Sequence, residues 1–134
     1  MRTSEVYGRE SGTIARARMC MAAFLDGVRA RTGVSIPQHV TDAAQLVVSE
    51  LVTNAAKHTS GPYGLDLEFA GHGVEITVWD SSPEPLVAMS PDPQRIGRHG
   101  LEIVSALTEA VSSTATDRGK SVTVLLRLPV ADPA

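Results

Sequence analysis

The sequence predicts an α+β fold, a two-layer sandwich with a mixed, mainly antiparallel sheet and its helices on one face. Three observations carry that expectation. In Gly12–Arg31 and Asp42–His58, apolar residues recur every three or four positions, as on one face of a helix. Leu65, Leu67 and Phe69, then Val74, Ile76 and Val78, alternate with polar residues on either side of Gly71-His72-Gly73, the pattern of a hairpin with one buried face. Helical spacing and then alternation return in the last third. The order helix, helix, two strands, long loop, helix, two strands packs most economically as one sheet with all helices on one side.

The length of 134 residues allows one domain with a real core, spanning the whole chain with its core at about residues 12–129. Hydrophobic residues make up 43% and charged residues 20%, which is globular rather than disordered. The net charge of −3 gives no basic excess, so direct nucleic-acid binding is not expected. The single Cys20 excludes an internal disulfide and a Cys-rich metal site, and its neighbours Met19, Met21 and Ala22 suggest a buried thiol. The first residues, MRTSEVYGRESG, lack the apolar segment of a signal peptide, and no run approaches membrane-spanning length. A cytoplasmic location without membrane contact is the expectation.

Taken in order, a short edge strand is expected around Val6 and Tyr7. The first helix turns Ile14, Ala17, Met21, Phe24 and Val28 inward and ends at Gly33 as a C-terminal cap. The Met-rich face reads as core packing. The second helix starts after Pro37, with Thr41 as N-cap and Asp42 beside the positive end of the dipole. Thr59-Ser60-Gly61-Pro62 is punctuation before the hairpin, in which Trp79 takes the face opposite the apolar residues and Asp80 ends the strand. Ser81–Ile96 holds four of the eight prolines and has no period, which suits a functional loop or lid. Leu101, Val104, Leu107 and Val111 suggest a helix from Gly100. Strands follow at Ser113–Thr116 and Ser121–Leu128, joined by Asp117-Arg118-Gly119-Lys120, and the last residues fray.

The second helix carries an unusual polar stripe. Glu50, Asn54 and His58 stand at i, i+4 and i+8 beside the apolar face. On the helix alone, the solvated flank of an ordinary amphipathic helix explains Glu50, Asn54 and Lys57 better, since charged residues usually face water. The alternative is a carboxylate and an amide oxygen projecting into a cleft, which suits a hard cation and the phosphate oxygens it carries. Three downstream features bear on the choice: Asp80 in VWDSSPEP, Gly97-Arg98-His99-Gly100-Leu101 opening a helix, and Arg118-Gly119-Lys120-Ser121 entering the last strand. Singly, they read as a turn residue, a loop-to-helix junction and a strand start.

Together, SELVTNAAKH, VWDSSPEP, GRHGLEIV and RGKSVTV give a sequence that resembles the Bergerat-fold (GHKL) ATPases of gyrase, histidine kinases and mismatch-repair proteins. More narrowly, it resembles the bacterial anti-sigma factor serine/threonine kinases, over about Ile14–Leu128. The resemblance implies ATP and Mg2+ as ligands. Asn54 would hold Mg2+, and Glu50 would act as base toward an attacking hydroxyl. Asp80 would accept a hydrogen bond from the adenine amino group. Backbone N–H groups of Gly97, Arg98, His99, Gly100 and Leu101 would meet the phosphates at a helix N-terminus. Ser121 would support the adenine side, and Lys57 or His58 would add positive charge near the phosphates. His58 is not expected to bind metal, since no second His or Cys is suitably spaced.

The implied activity is transfer of the γ-phosphate of ATP to a serine of an anti-anti-sigma (STAS-type) partner, with a sigma factor bound in the alternative state. Such proteins commonly form homodimers. One departure matters: the glycine that commonly follows the adenine-binding aspartate is here Ser82-Pro83. That keeps open a second function class, a nucleotide-binding or nucleotide-free module that sequesters a transcription regulator without catalysis.

Overall fold

The computed structural model describes residues 1–81, 108–116 and 119–128. The elements in chain order are β1 (Arg2–Tyr7), α1 (Thr13–Thr32), α2 (Gln38–His58), β2 (Tyr63–Phe69), β3 (Gly73–Asp80), β4 (Thr108–Thr116) and β5 (Gly119–Arg127). Among the described residues the strands form one sheet in the order β1-β2-β3-β5-β4, with every pairing antiparallel. α1 packs on β1 and β2, while α2 packs on β2 and chiefly on β3. This is the α+β sandwich that the periodicities predict.

The core lies between these layers. α1 contributes Ala17, Met21, Phe24, Leu25 and Val28, and α2 contributes Ala44, Val47, Val48, Leu51, Val52 and Ala55. From the sheet come Leu65, Leu67, Val74, Ile76, Val78, Val122, Val124 and Leu126, all on the face that meets the helices. Burying each large aliphatic side chain contributes about 1.5–3 kcal/mol, enough to set strand register against the helices. Gly33 closes α1 at φ 70°, a left-handed value that glycine adopts freely, and its N–H bonds the Arg29 carbonyl at 2.9 Å. Arg29 then ties the two helices together, donating to Asp26 Oδ1 at 2.6 Å, the Ile36 carbonyl at 2.7 Å and Thr41 Oγ1 at 2.9 Å.

Several expectations are corrected. α2 starts at Gln38, about one turn before the expected cap, because the Pro37 carbonyl already accepts from Val40 and Thr41. Thr41 is therefore buried inside the first turn, serving Arg29 rather than capping the helix. Ile14 is exposed, and Met19 is 70% exposed, so only part of the Met-rich stretch is core. Cys20 is half-buried rather than buried; burial and the nearby Glu5 carboxylate still push its thiol up to about 11. β1 runs the full length Arg2–Tyr7, paired to β2 along its whole span.

The expected helix from Gly100 cannot reach Val111, because β4 already begins at Thr108. There, the two residues between Thr108 and Val111 oppose the one between Leu126 and Val124, which marks a bulge. A Thr- and Val-bearing segment beside β5 gains ladder hydrogen bonds that outweigh a local helical spacing. The expected loop beyond Ser81 and the helix over Leu101–Leu107 lie outside the described residues.

Candidate functional site

The two flanks of α2 differ. At 100° per residue, Gln45 and Ser49 fall on one side of its buried stripe and Glu50 and Asn54 on the other. The first flank faces α1: Gln45 Nε2 donates to the Arg18 carbonyl at 3.1 Å, and Arg18 Nη1 donates to Ser49 Oγ at 3.4 Å. Glu50 and Asn54 are thus turned away from α1, toward the side of the sheet where β5 follows β3. Both are half-buried, one turn apart. Lys57 is exposed. His58 is the last residue of α2.

The second part of the site is the end of β3. One row of opposed residues crosses the sheet there: Tyr7–Tyr63, Tyr63–Asp80, Asp80–Lys120, and in register Lys120–Ala115. Tyr7, Tyr63, Asp80 and Lys120 are all buried, at 1%, 4%, 7% and 5% exposure. Such burial places them on the helix-side face, with Val78 and Val122 in the same alternation. Tyr7 and Tyr63 meet with ring centroids 5.6 Å apart, and Tyr63 donates to Thr13 Oγ1 at 3.0 Å. Burial first, with Glu5 second, raises the ionisation of the Tyr7 hydroxyl above the ordinary phenol range.

Gly119 enters this row with φ 139°, a conformation reserved for glycine, and its Cα sits against the Asp80 carbonyl where no Cβ would fit. Beyond Asp80, Ser81 clasps the turn that follows α2. Its Oγ donates to the Pro62 carbonyl at 2.9 Å and lies 3.1 Å from Thr59 Oγ1, which accepts from Gly61 N at 3.1 Å. The end of α2 and the end of β3 are held together by these bonds.

Glu50 and Asn54 share one flank of α2, as the stripe predicts, and Asp80 lies in the other layer, on the face of the sheet that meets the helices. Ser121 is placed differently. It opposes Trp79 on the outer face, next to the Thr77–Thr123 hydroxyl pair at 2.9 Å. The side chain that shares the face of Asp80 is that of Lys120. Parity was the available signal: counting back from Val124 and Val122 puts Lys120 inside and Ser121 outside. Gly97, Arg98, His99, Gly100 and Leu101 lie outside the described residues. Lys57 lines a cleft of about 610 Å³ with Arg9, Glu10, Thr13, Thr59, Ser60 and Tyr63, among others, and neither Glu50, Asn54 nor Asp80 borders it. Among the described residues, no three acidic, His or Cys side chains gather as a metal cage.

The model of the family described as "histidine kinase-like ATPase domain" matches residues 11–126. The chain belongs to that family. It is thereby a kinase-like ATPase module, of the general class that binds ATP. Among solved structures, the histidine kinase domain of the blue-light activated histidine kinase of Erythrobacter litoralis EL346 is similar, with a TM-score of 0.55 and 19% identity. The likeness covers 86% of this chain and 59% of that one, so this ATPase domain spans little more than half of that solved chain; at such identity it shows the fold alone. No curated protein matches the chain. No helix among the described residues is long and apolar enough to cross a membrane.

Proposed function

We propose that the chain is an ATP-dependent serine/threonine protein kinase of the anti-sigma-factor type, acting in the cytoplasm on an anti-anti-sigma (STAS-type) partner and thereby on a sigma factor. The observation that carries the proposal is the pairing of half-buried Glu50 and Asn54 on the flank of α2 turned away from α1, with Asp80 buried at the end of the strand that α2 covers. One side of the site then handles the phosphates and the other reads the base.

The donor set fits Mg2+ bound mainly through phosphate oxygens and water. Such an ion needs only one or two protein oxygens, and the Asn54 amide oxygen is one. Bound there, Mg2+ would offset the charge of the phosphates. Glu50, one turn earlier, would accept the proton of the partner's serine hydroxyl. As the serine oxygen bonds to the γ-phosphorus, the bond from that phosphorus to the bridging oxygen breaks, and its electron pair leaves with ADP. Asp80 would accept from the adenine amino group, which favours adenine over guanine.

The test is Glu50→Gln, which keeps size and hydrogen bonding but removes the base. Phosphotransfer to a cognate serine-bearing partner is expected to fall roughly 10²–10⁴-fold, with ATP affinity little changed. Unimpaired transfer would remove Glu50 from the mechanism. The Ser82-Pro83 departure after Asp80 favours a second reading, a sequestering module without catalysis. A wild type that binds ATP and its proven partner yet never transfers phosphate would decide for that reading.

A further inference from the structure

We propose that the cleft between the β1–α1 link and the end of α2 is a phosphate-binding site distinct from the ATP site, with Arg9 and Lys57 as its charged ligands and a small phosphate ester as the molecule it takes. The inference stands apart from the proposed kinase activity, because none of Glu50, Asn54 and Asp80 borders the cleft.

The cleft has a volume of about 610 Å³. Its walls meet because of strand register: Tyr7, the last residue of β1, is paired with Tyr63, the first of β2. The chain leaving β1 at Gly8 and the turn entering β2 at Gly61 are thereby brought side by side. Arg9 comes from the first wall and Lys57 from the last turn of α2 on the second. Among the described residues neither cation has a hydrogen bond or an ion pair, whereas Arg16 and Arg29 are both engaged. Two cations facing one cleft repel each other, and an anion between them reverses the sign of that interaction.

The rest of the lining also donates. Ser60 is exposed at the rim with a free hydroxyl among the described residues. Thr13 and Tyr63 are its buried lining residues; Tyr63 donates to Thr13 Oγ1 at 3.0 Å, which leaves the Thr13 hydroxyl hydrogen as a donor. The acid among the lining residues is Glu10, and its Oε1 is already taken, accepting from Arg16 Nη1 at 3.1 Å and Gly8 N at 3.2 Å. A phosphate ester brings about 1.5–2 negative charges near pH 7 and three acceptor oxygens, which matches two cations and two hydroxyls better than a carboxylate does. The volume lies within the range of small-molecule sites, about 300–1,000 Å³, and leaves room for the organic part of an ester.

The experiment is an amide NMR titration of the full chain with inorganic phosphate and, in parallel, glycerol 3-phosphate, at ionic strength held constant with chloride. Saturable shifts are expected at Gly8, Arg9, Ser60 and Gly61, unchanged when the protein is first saturated with Mg-ATP. Arg9→Gln and Lys57→Gln are each expected to weaken binding roughly two- to fivefold, the range of an exposed charge pair. Glu10→Gln should tighten it. Arg31→Gln, the same charge change in the last turn of α1, should leave it unchanged. No saturable shift at these amides in wild type would overturn the site without help from any variant. So would an equal loss in Arg31→Gln, which would reduce the effect to net charge. Loss of the shifts on adding Mg-ATP would place the phosphate in the ATP site and overturn a separate cleft. Failure to bind ATP, with the phosphate shifts intact, would strike the kinase reading and leave this site standing. Glycerol 3-phosphate binding at least as tightly as phosphate is the expected order; much weaker binding would overturn the ester and leave the free ion.

Discussion

Gly119→Ala tests the close approach that fixes the end of the site. At φ 139° an alanine is strained by about 1–3 kcal/mol whatever surrounds it. The added methyl also meets the Asp80 carbonyl, a backbone group held in the ladder that cannot rotate away. Overpacking of that kind costs about another 1–3 kcal/mol, so about 4 kcal/mol is the central expectation. A chain of 134 residues unfolds with an entropy near 0.28 kcal/mol/K, from about 2.1 cal/mol/K per residue. The Tm should therefore fall by about 14 °C in a circular dichroism melt. Gly71→Ala is the matched control. It too has positive φ, at 79°, but nothing lies within 4 Å of the added carbon. Its cost is the left-handed penalty alone, about 1 kcal/mol or about 4 °C. Equal losses for the two variants would refute the close-approach argument.

Other outcomes follow from the same geometry. Asn54→Ala is expected to weaken Mg-ATP binding far more than metal-free nucleotide binding; titrations with and without magnesium would read the difference, and equal losses would exclude Asn54 as metal ligand. Tyr63→Phe removes the donor to Thr13 in a buried setting and should cost about 1–2 kcal/mol in urea unfolding, with ATP affinity kept if the hydroxyl is purely structural. Cys20, raised from 9.0 to about 11, should hold roughly a hundredfold less thiolate at pH 8 than an unperturbed thiol and alkylate correspondingly slowly. Because its folded-state value is the higher one, its contribution to stability is whole below pH 9 and lost as pH rises toward 11. Cys20→Ala should flatten that part of the alkaline loss, leaving the share of Tyr7, whose ionisation is raised as well.

The two layers were legible because their signals are periodic. Ala17, Met21, Phe24 and Val28 on α1 and the alternating Val74, Ile76 and Val78 on β3 are buried as their spacing requires. β1 was harder to size, since an edge strand with one solvated face can be as polar as Arg2–Tyr7. Val111 fitted a helical period by coincidence, and only the long-range pairing with β5 reveals it as strand. Within the site, the Glu50–Asn54 stripe follows from helix geometry alone. Ser121 belongs to a family block, yet strict alternation from Val124 sets Lys120, and not Ser121, on the inner face. The clasp of Ser81 on Thr59 joins residues 22 positions apart, and no local pattern announces such a bond.

The row through Tyr63, Asp80 and Lys120 makes the chemistry of this end of the sheet depend on whether a residue number is odd or even. Deleting one residue from the short link between β4 and β5, or adding one, would tempt β5 to slide by a single step against β3. Such a slide would turn Lys120 out to solvent, bring Ser121 to the carboxylate, and push Val122 and Val124 out of the core in the same movement. Folding and the make-up of this row are thus checked by one count. A chain that miscounts loses its core together with the row, so the row can be altered by substitution at position 120 and not by insertion or deletion beside it.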